Sequence, residues 1–327
     1  MPTSRSILLF RPEVPGVRTG NRLASLRWAQ LWRQLGHRVR IRHSDDGAPA
    51  DLIVALHAEK CAQPLLAALA RLPRSRSLLV LGGTDWLGPE AGPRPGLSAA
   101  AERALAMVDR VVVRQVHQGD GLPKPVAART VLIEPSAAAP GPRPHRVDQR
   151  AEVLTLAHLR AVKEPFLLAE AMALLPHDVA LTAVHLGAAL DDAAQAAAER
   201  TMQREPRWRW LGAWPRAVAR ERLRAARGLV LASRSEGAPG AVVEAIVQHV
   251  PVLASDIAAH RGLLGADWPG LFPVGDAPAL ARLLQRLAGD PAWAADLEAR
   301  AGRLAARFRP ARERTDWEAL FAQLGLG

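Results

Sequence analysis

Two doubly wound α/β domains are predicted, on three observations. Short apolar runs alternate with longer stretches of helical period. The alternation stops once, in a proline-rich segment, and then restarts. The chain has 327 residues, more than one hydrophobic core usually serves.

Residues 7–10 form an apolar strand. Residues 21–35 follow at helical period, with Leu23, Leu26, Ala29 and Leu31 on one side, and Gly36 ends them as a C-cap. Strands are expected at 38–43, 51–57, 77–81, 110–114 and 131–133, with helical pieces between most of them. Residues 135–146 then read PSAAAPGPRPHR, with four prolines and a glycine. Neither a core helix nor a central strand tolerates that composition, so it is read as a linker. The alternation resumes with strands at 153–158, 179–185, 207–211, 228–232 and 251–254, and an alanine-rich helix at 188–203. From Pro278 the chain is mostly helical. The expected division is an N-terminal domain over 1–140 and a C-terminal domain over 150–309. Parallel α/β sheets take ligands beyond the carboxyl ends of their strands, so chemistry is sought just after each one, and two such domains would leave a cleft between them.

Composition narrows the function. Apolar residues make up 49% and charged residues 23%, an ordinary globular mixture. The net charge is +11, but no Lys/Arg run reaches five and no aromatic–basic interleaving marks a single-strand binder. Nucleic-acid and membrane partners are therefore not expected; local cationic sites for phosphates are. The single Cys61 excludes an internal disulfide. No H-x-H or H-x3-H spacing suggests zinc. The first apolar run is too short for a signal sequence and no stretch approaches a membrane span, which leads to a cytoplasmic expectation.

Five segments carry candidate chemistry. After the strand at 228–232, residues 236–245 read EGAPGAVVEA, a glycine-containing loop opening into a helix. Gly237 and Gly240 let backbone approach a ligand, and the helix start offers N–H groups to an anion. Glu244 could accept from the two hydroxyls of a ribose, and Glu236 could reach a sugar; two solvated glutamates would give the same spacing. After the strand at 153–158, Arg160 and Lys163 are three apart and could together stabilise a leaving diphosphate without a metal. Gly20 and Asn21 open the first helix and suit phosphate contact, though an ordinary Asn N-cap reads the same. Thr84 and Asp85 sit on a glycine turn after a strand, and His57 ends another; a satisfied structural histidine is the competing reading for His57. Trp210 and Leu211 could flank a base pocket, or simply pack the sheet.

Together these residues resemble the retaining GT-B glycosyltransferases of family 4. The two glutamates match that family's E-x7-E donor motif, and Arg160 with Lys163 its diphosphate pair. Glu236-Gly237-Ala238-Pro239-Gly240 departs from the family's usual E-G-F-G. A closer resemblance covers nearly the whole chain. GNRLASLRWAQLWRQLGHRVRI, DLIVALHA, GGTDW, HLRAVKEP, RWRWLGAWPR, SRSEGAPGAVVEA, PVLASDI, GLLGADWPGLFPVGD and FRPARER are similar to the SenB-type selenosugar synthases of selenoneine biosynthesis.

That resemblance implies transfer of a hexosyl group, N-acetylglucosamine or glucose, from a UDP-sugar to selenophosphate. It implies ribose at Glu244, donor sugar at Glu236, diphosphate at Arg160 and Lys163, with Gly20 and Asn21 facing it. The acceptor side would be lined by His57, Thr84 and Asp85. No cofactor or metal is implied, and residues 310–327 would form a helix packing back on the N-terminal domain. A hydroxyl acceptor, or a UDP-sugar epimerase on the same fold, would fit the donor motifs as well.

Overall fold

The computed structural model describes residues 4–12, 20–83, 85–86, 96–138 and 151–326. The chain divides into two compact units, Met1–Pro135 with Ala311–Gly327, and Ser136–Pro310. In the first unit the order is β1 (Ser6–Phe10), α1 (Gly20–Gln34), β2 (Arg38–Arg42), β3 (Leu52–Leu56), α2 (Ala58–Arg71), β4 (Arg76–Val80), α3 (Ala99–Met107), β5 (Arg110–Val113), α4 (Lys124–Ala127) and β6 (Thr130–Leu132). The six strands form one parallel sheet in the order β2-β1-β3-β4-β5-β6. Side chains alternate between its faces, as period two requires. Ile7, Leu9, Val54, Val80 and Val112 pack on the α1 side; Leu8, Phe10, Ile53, Leu79 and Val111 pack towards α2 and α3. Burial on both faces is why these strands read as continuous apolar runs rather than alternating ones. Gly36 ends α1 at φ 93°, with His37 N–H donating to Trp32 O, the left-handed closure that glycine permits.

The second unit repeats the plan with β7 (Glu152–Leu156), α5 (Leu167–Ala173), β8 (Thr182–Leu186), α6 (Asp192–Arg204), β9 (Trp208–Trp210), α7 (Arg216–Ala225), β10 (Gly228–Leu231), α8 (Gly240–Val247), β11 (Val252–Ser255), α9 (Ala258–Leu264), β12 (Leu271–Phe272), α10 (Ala277–Gly289) and α11 (Pro291–Leu304). Its sheet is parallel in the order β12-β11-β10-β7-β8-β9. The strand order therefore reverses between β7 and β10, the doubly wound arrangement whose ligand crevice opens at that junction. The two-residue β12 is too short to register as an apolar run and falls outside the expected strands.

The last helix, α12 (Pro310–Gln323), belongs to the first unit. Its Trp317 and Phe321 are buried against Trp28 and Trp32 of α1, with ring centroids 4.9–5.8 Å apart in edge-on or tilted pairs. Glu313, also buried, accepts from Trp28 Nε1 at 2.9 Å and Arg27 Nη2 at 2.8 Å. Fully buried aromatics dominate such a contact through the apolar area each removes from water.

Candidate active site

The β7–β10 junction brings two of the sequence-singled segments together. The loop after β7 carries Arg160 and Lys163; the loop after β10 carries Ser233, Glu236, Gly237 and Gly240. Lys163 Nζ pairs directly with Glu236 Oε1, which also accepts from Ser233 Oγ at 2.8 Å. A second ion pair, Arg234 with Glu164, and Arg234 N–H to Val162 O at 2.9 Å join the same two loops. Burial would raise the Glu236 pKa, yet the Lys163 ammonium and Ser233 hydroxyl pull it below the ordinary glutamate range. The side chains of Lys163 and Glu236 are 19% and 12% exposed, so this pair is largely withdrawn from water.

The β7 loop is fixed from below. His185 on β8 is buried, and its Nε2–H donates to Ala157 O at 2.8 Å; burial lowers its pKa to about 4. His158 Nδ1 accepts from Ala188 N–H at 3.0 Å, and Leu159 bridges Ala189. Glu164 turns the chain at φ 46°. Arg160, at the rim of this braced loop, is exposed and makes no side-chain hydrogen bond or ion pair among the described residues. The arrangement leaves one cation open to a ligand and holds a second beside a carboxylate.

Glu244 lies in α8 and is buried, but it is not solvated. Arg216, the first residue of α7, donates through Nε at 2.8 Å and Nη2 at 2.5 Å, both to Oε1, and Arg220 Nε stands 3.9 Å from that oxygen. Oε2 receives no described donor, which leaves it for a hydroxyl. Neither of the two segment glutamates is thus free in water; each has a cationic partner. An added Cβ at Gly240 or at Gly20 would meet nothing within 4 Å, and neither has a positive φ. Packing within the protein therefore does not demand glycine at either position. Gly237 is buried in the loop.

Trp210 is half-buried and its Nε1–H donates to Gly187 O at 2.7 Å, while Leu211 is 38% exposed beside it. Trp208, fully buried, packs on Phe166 and His185. Gly187 carries no local sequence signal, since it follows β8 without a motif. A Cβ there would lie 1.7 Å from Ala157 O, so the β7 and β8 loops meet backbone to backbone.

Behind Glu236 sits a buried set of polar side chains. Ser255 Oγ donates to Ser233 O at 2.5 Å, and His260 Nδ1–H donates to Ser255 O at 2.7 Å. Burial lowers the His260 pKa, against the pull of the Glu236 carboxylate. Arg216, Ser255 and His260 lie 19–28 residues from the glutamate each supports, on other elements, and no local pattern announces them.

In the first unit, His57 caps α2 with φ 86° and ψ 108°, a backbone state rare for a residue with a side chain. Its Nδ1 accepts from Lys60 N–H at 3.3 Å, and burial lowers its pKa although Asp85 opposes this. The Asp85 carboxylate is wholly buried. Oδ2 accepts from Ala58 N–H at 2.5 Å and Gly82 N–H at 3.0 Å, and Oδ1 from Trp86 N–H at 3.1 Å. It binds the β3 and β4 loops together, so its geometry is that of a positioning group. Gly82 faces the His57 ring, where a Cβ would come within 2.9 Å of Cδ2. Asn21 is the second residue of α1, one position inside the helix. Thr84 lies outside the described residues. Cys61 is buried, with burial pushing its thiol up to about 12. No group of three or more His, Cys, Asp or Glu suited to a metal ion occurs among the described residues, and no described helix is long and apolar enough to cross a membrane.

Residues 150–290, which contain this junction, match the family described as Glycosyl transferases group 1. No curated protein sequence matches the chain. Among solved structures, the sucrose-phosphate synthase of Thermosynechococcus elongatus is similar over 98% of this chain and 99% of its own, at 18% identity and TM-score 0.81. Anabaena HepE, solved in complex with UDP and glucose, is similar over 98% of this chain and 100% of its own, at 18% identity and TM-score 0.76. The pneumococcal O-GlcNAc transferase GtfA, solved with UDP and GlcNAc, matches 93% of this chain and 60% of its own, at 14% identity and TM-score 0.66. With two parallel-sheet Rossmann-like units and these neighbours, the chain has the α/β architecture of the GT-B glycosyltransferases.

Proposed function

We propose that this chain transfers a hexosyl group, N-acetylglucosamine or glucose, from a UDP-sugar to selenophosphate, forming a Se-glycosidic bond. The observation that carries the donor half is the β7–β10 junction, where Arg160, Lys163, Glu236 and Glu244 sit inside the stretch that matches the group 1 glycosyltransferases. Arg160 and Lys163 take the diphosphate and stabilise its charge as it leaves. Oε2 of Glu244 accepts from the ribose, with Arg216 holding the other oxygen. Glu236 orients the donor sugar, Gly237 and Gly240 admit it closely, and the base lies by Trp210 and Leu211. HepE and GtfA, each solved with UDP, support the choice of nucleotide. The acceptor half rests on the whole-chain resemblance to selenosugar synthases, with His57, Thr84 and Asp85 on the acceptor side and Gly20 and Asn21 facing the diphosphate. Selenophosphate is already anionic and needs no general base, and two cations at the diphosphate make a metal unnecessary. The reaction would run in the cytoplasm without a cofactor.

Mass spectrometry of products from UDP-N-acetylglucosamine and UDP-glucose, with and without selenophosphate and with a chelator, tests the proposal. A selenosugar formed only with selenophosphate and unaffected by chelation supports it. Products formed without selenophosphate, or only with a hydroxyl acceptor, overturn the acceptor assignment. For the donor half, Glu244→Ala should weaken UDP binding by about 1–3 kcal/mol through lost charge-assisted hydrogen bonds. Unchanged calorimetric affinity in the folded variant removes the ribose assignment.

A further inference from the structure

We infer that Arg114 is the centre of an oxyanion site in the first unit, built for a small tetrahedral phosphate-class group. Arg114 directly follows β5, at the carboxyl edge of the sheet. Its guanidinium has no hydrogen-bond or ion-pair partner among the described residues, and its Nε is buried. The side chain is half-buried and lies over the Trp28 ring, 5.1 Å from the centroid. Glu313 is the nearby carboxylate, and its Oε1 is taken by Arg27 and the Trp28 indole. Among the described residues the neighbourhood therefore holds two guanidinium groups and one carboxylate. Desolvation first, and Arg27 second, lower the Arg114 pKa to about 10.

A desolvated cation whose nearby carboxylate is already bonded to other donors is unfavourable, and a ligand oxyanion would complete it. A guanidinium held over an indole is restrained in position, and its planar fork of donors can take two oxygens of a phosphate at once. The backbone of this segment is fixed as well. Arg114 N–H donates to Gln118 Oε1 at 2.7 Å, and Gln118 Nε2 donates to Leu81 O and Gly82 O. Arg114 is thereby tied to the loop that carries Asp85 and faces His57. This deepens the function proposed above by giving its anionic acceptor a binding residue, and rests on that reading only for the acceptor's identity.

The test is thermal unfolding of wild type and Arg114→Met with saturating UDP present, so that the diphosphate site is occupied, while inorganic phosphate or a sugar phosphate is titrated in. Phosphate should raise the wild-type Tm and leave that of Arg114→Met unmoved, and Arg114→Lys should fall between them. A larger shift with the sugar phosphate assigns the site to an esterified phosphoryl group; a larger shift with inorganic phosphate assigns it to the free anion. Calorimetric UDP affinity should be equal in wild type and Arg114→Met. Equal phosphate shifts in wild type and Arg114→Met, or none in wild type, overturn the site. So does an Arg114→Met chain that fails to fold, because loss of an unpaired buried cation should not destabilise. If UDP fails to bind wild type, the donor reading falls, and the phosphate difference between the two chains still decides this one.

Discussion

Breaking the Lys163–Glu236 pair from one side should cost more than removing both charges. Lys163→Met leaves Glu236 with no ammonium beside it in a site mostly closed to water, and about 3 kcal/mol of stability should go. Lys163→Met with Glu236→Gln should recover most of that loss, which urea unfolding of the three chains would measure. In wild type the Glu236 contribution is present above the ordinary glutamate pKa and is lost as pH falls through its depressed folded value. His185 acts over a higher window. Its folded pKa is about 4 against 6.5 unfolded, so the unfolded chain alone takes up that proton as pH drops through this range. Stability is complete above 6.5, declines towards 4 and then levels, by roughly 3 kcal/mol in all at 1.36 kcal/mol per unit. His185→Asn should flatten that decline when stability is followed by denaturant titration at pH 7, 5.5 and 4. An unchanged slope would assign the acid sensitivity elsewhere, His260 being the next buried imidazole.

The β7–α5 loop is the element on which the proposed donor site depends, and Gly187 is its most exacting support. In Gly187→Ala the new methyl must displace the Ala157 carbonyl, moving the loop that bears Arg160 and Lys163. Stability should fall by about 1–3 kcal/mol and UDP affinity several-fold. Gly240→Ala is the contrast: its Cβ enters open space, so Tm should hold while UDP binding weakens. Scanning calorimetry and UDP titration of both variants separate a packing glycine from a ligand-facing one. The contrast also marks what was legible in the sequence. The doubly wound class was, because strands buried on both faces print as apolar runs and the prolines at 135–146 interrupt them. The placement of the loop segments just after strands was, because the apolar runs before them mark where each strand stops. Their partners were not. Arg216 meets Glu244 from another helix, and Gly187 meets Ala157 across 30 residues of chain, so only three dimensions bring them together. The two-residue β12 fell below the length at which apolar periodicity means anything.

Over the whole molecule, the charge of +11 should make the capture of anionic substrates salt-sensitive. kcat/KM should fall as ionic strength rises from about 10 to 150 mM, over which the Debye length shrinks from about 30 to 8 Å, with kcat little changed. Stopped-flow or initial-rate measurements across that range would show it; a flat profile would mean that only local cations matter. The chain's path carries a different consequence. The first unit is begun by residues 1–135 and completed by α12, whose Trp317 and Phe321 fill the face of α1 that Trp28 and Trp32 present. The second unit is continuous, from 136 to 310. On the ribosome, therefore, the portion made later can finish folding first, and the earlier portion waits with two indoles uncovered until residue 321 has left the exit tunnel. Limited proteolysis of stalled nascent chains should find 151–304 protected in a chain arrested far enough into an extended reading frame for α12 to have left the tunnel, and already protected at an arrest point that still holds α12 inside it. Residues 20–56 should become resistant only at the longer arrest, and an earlier resistance would mean that the first core closes without its last helix.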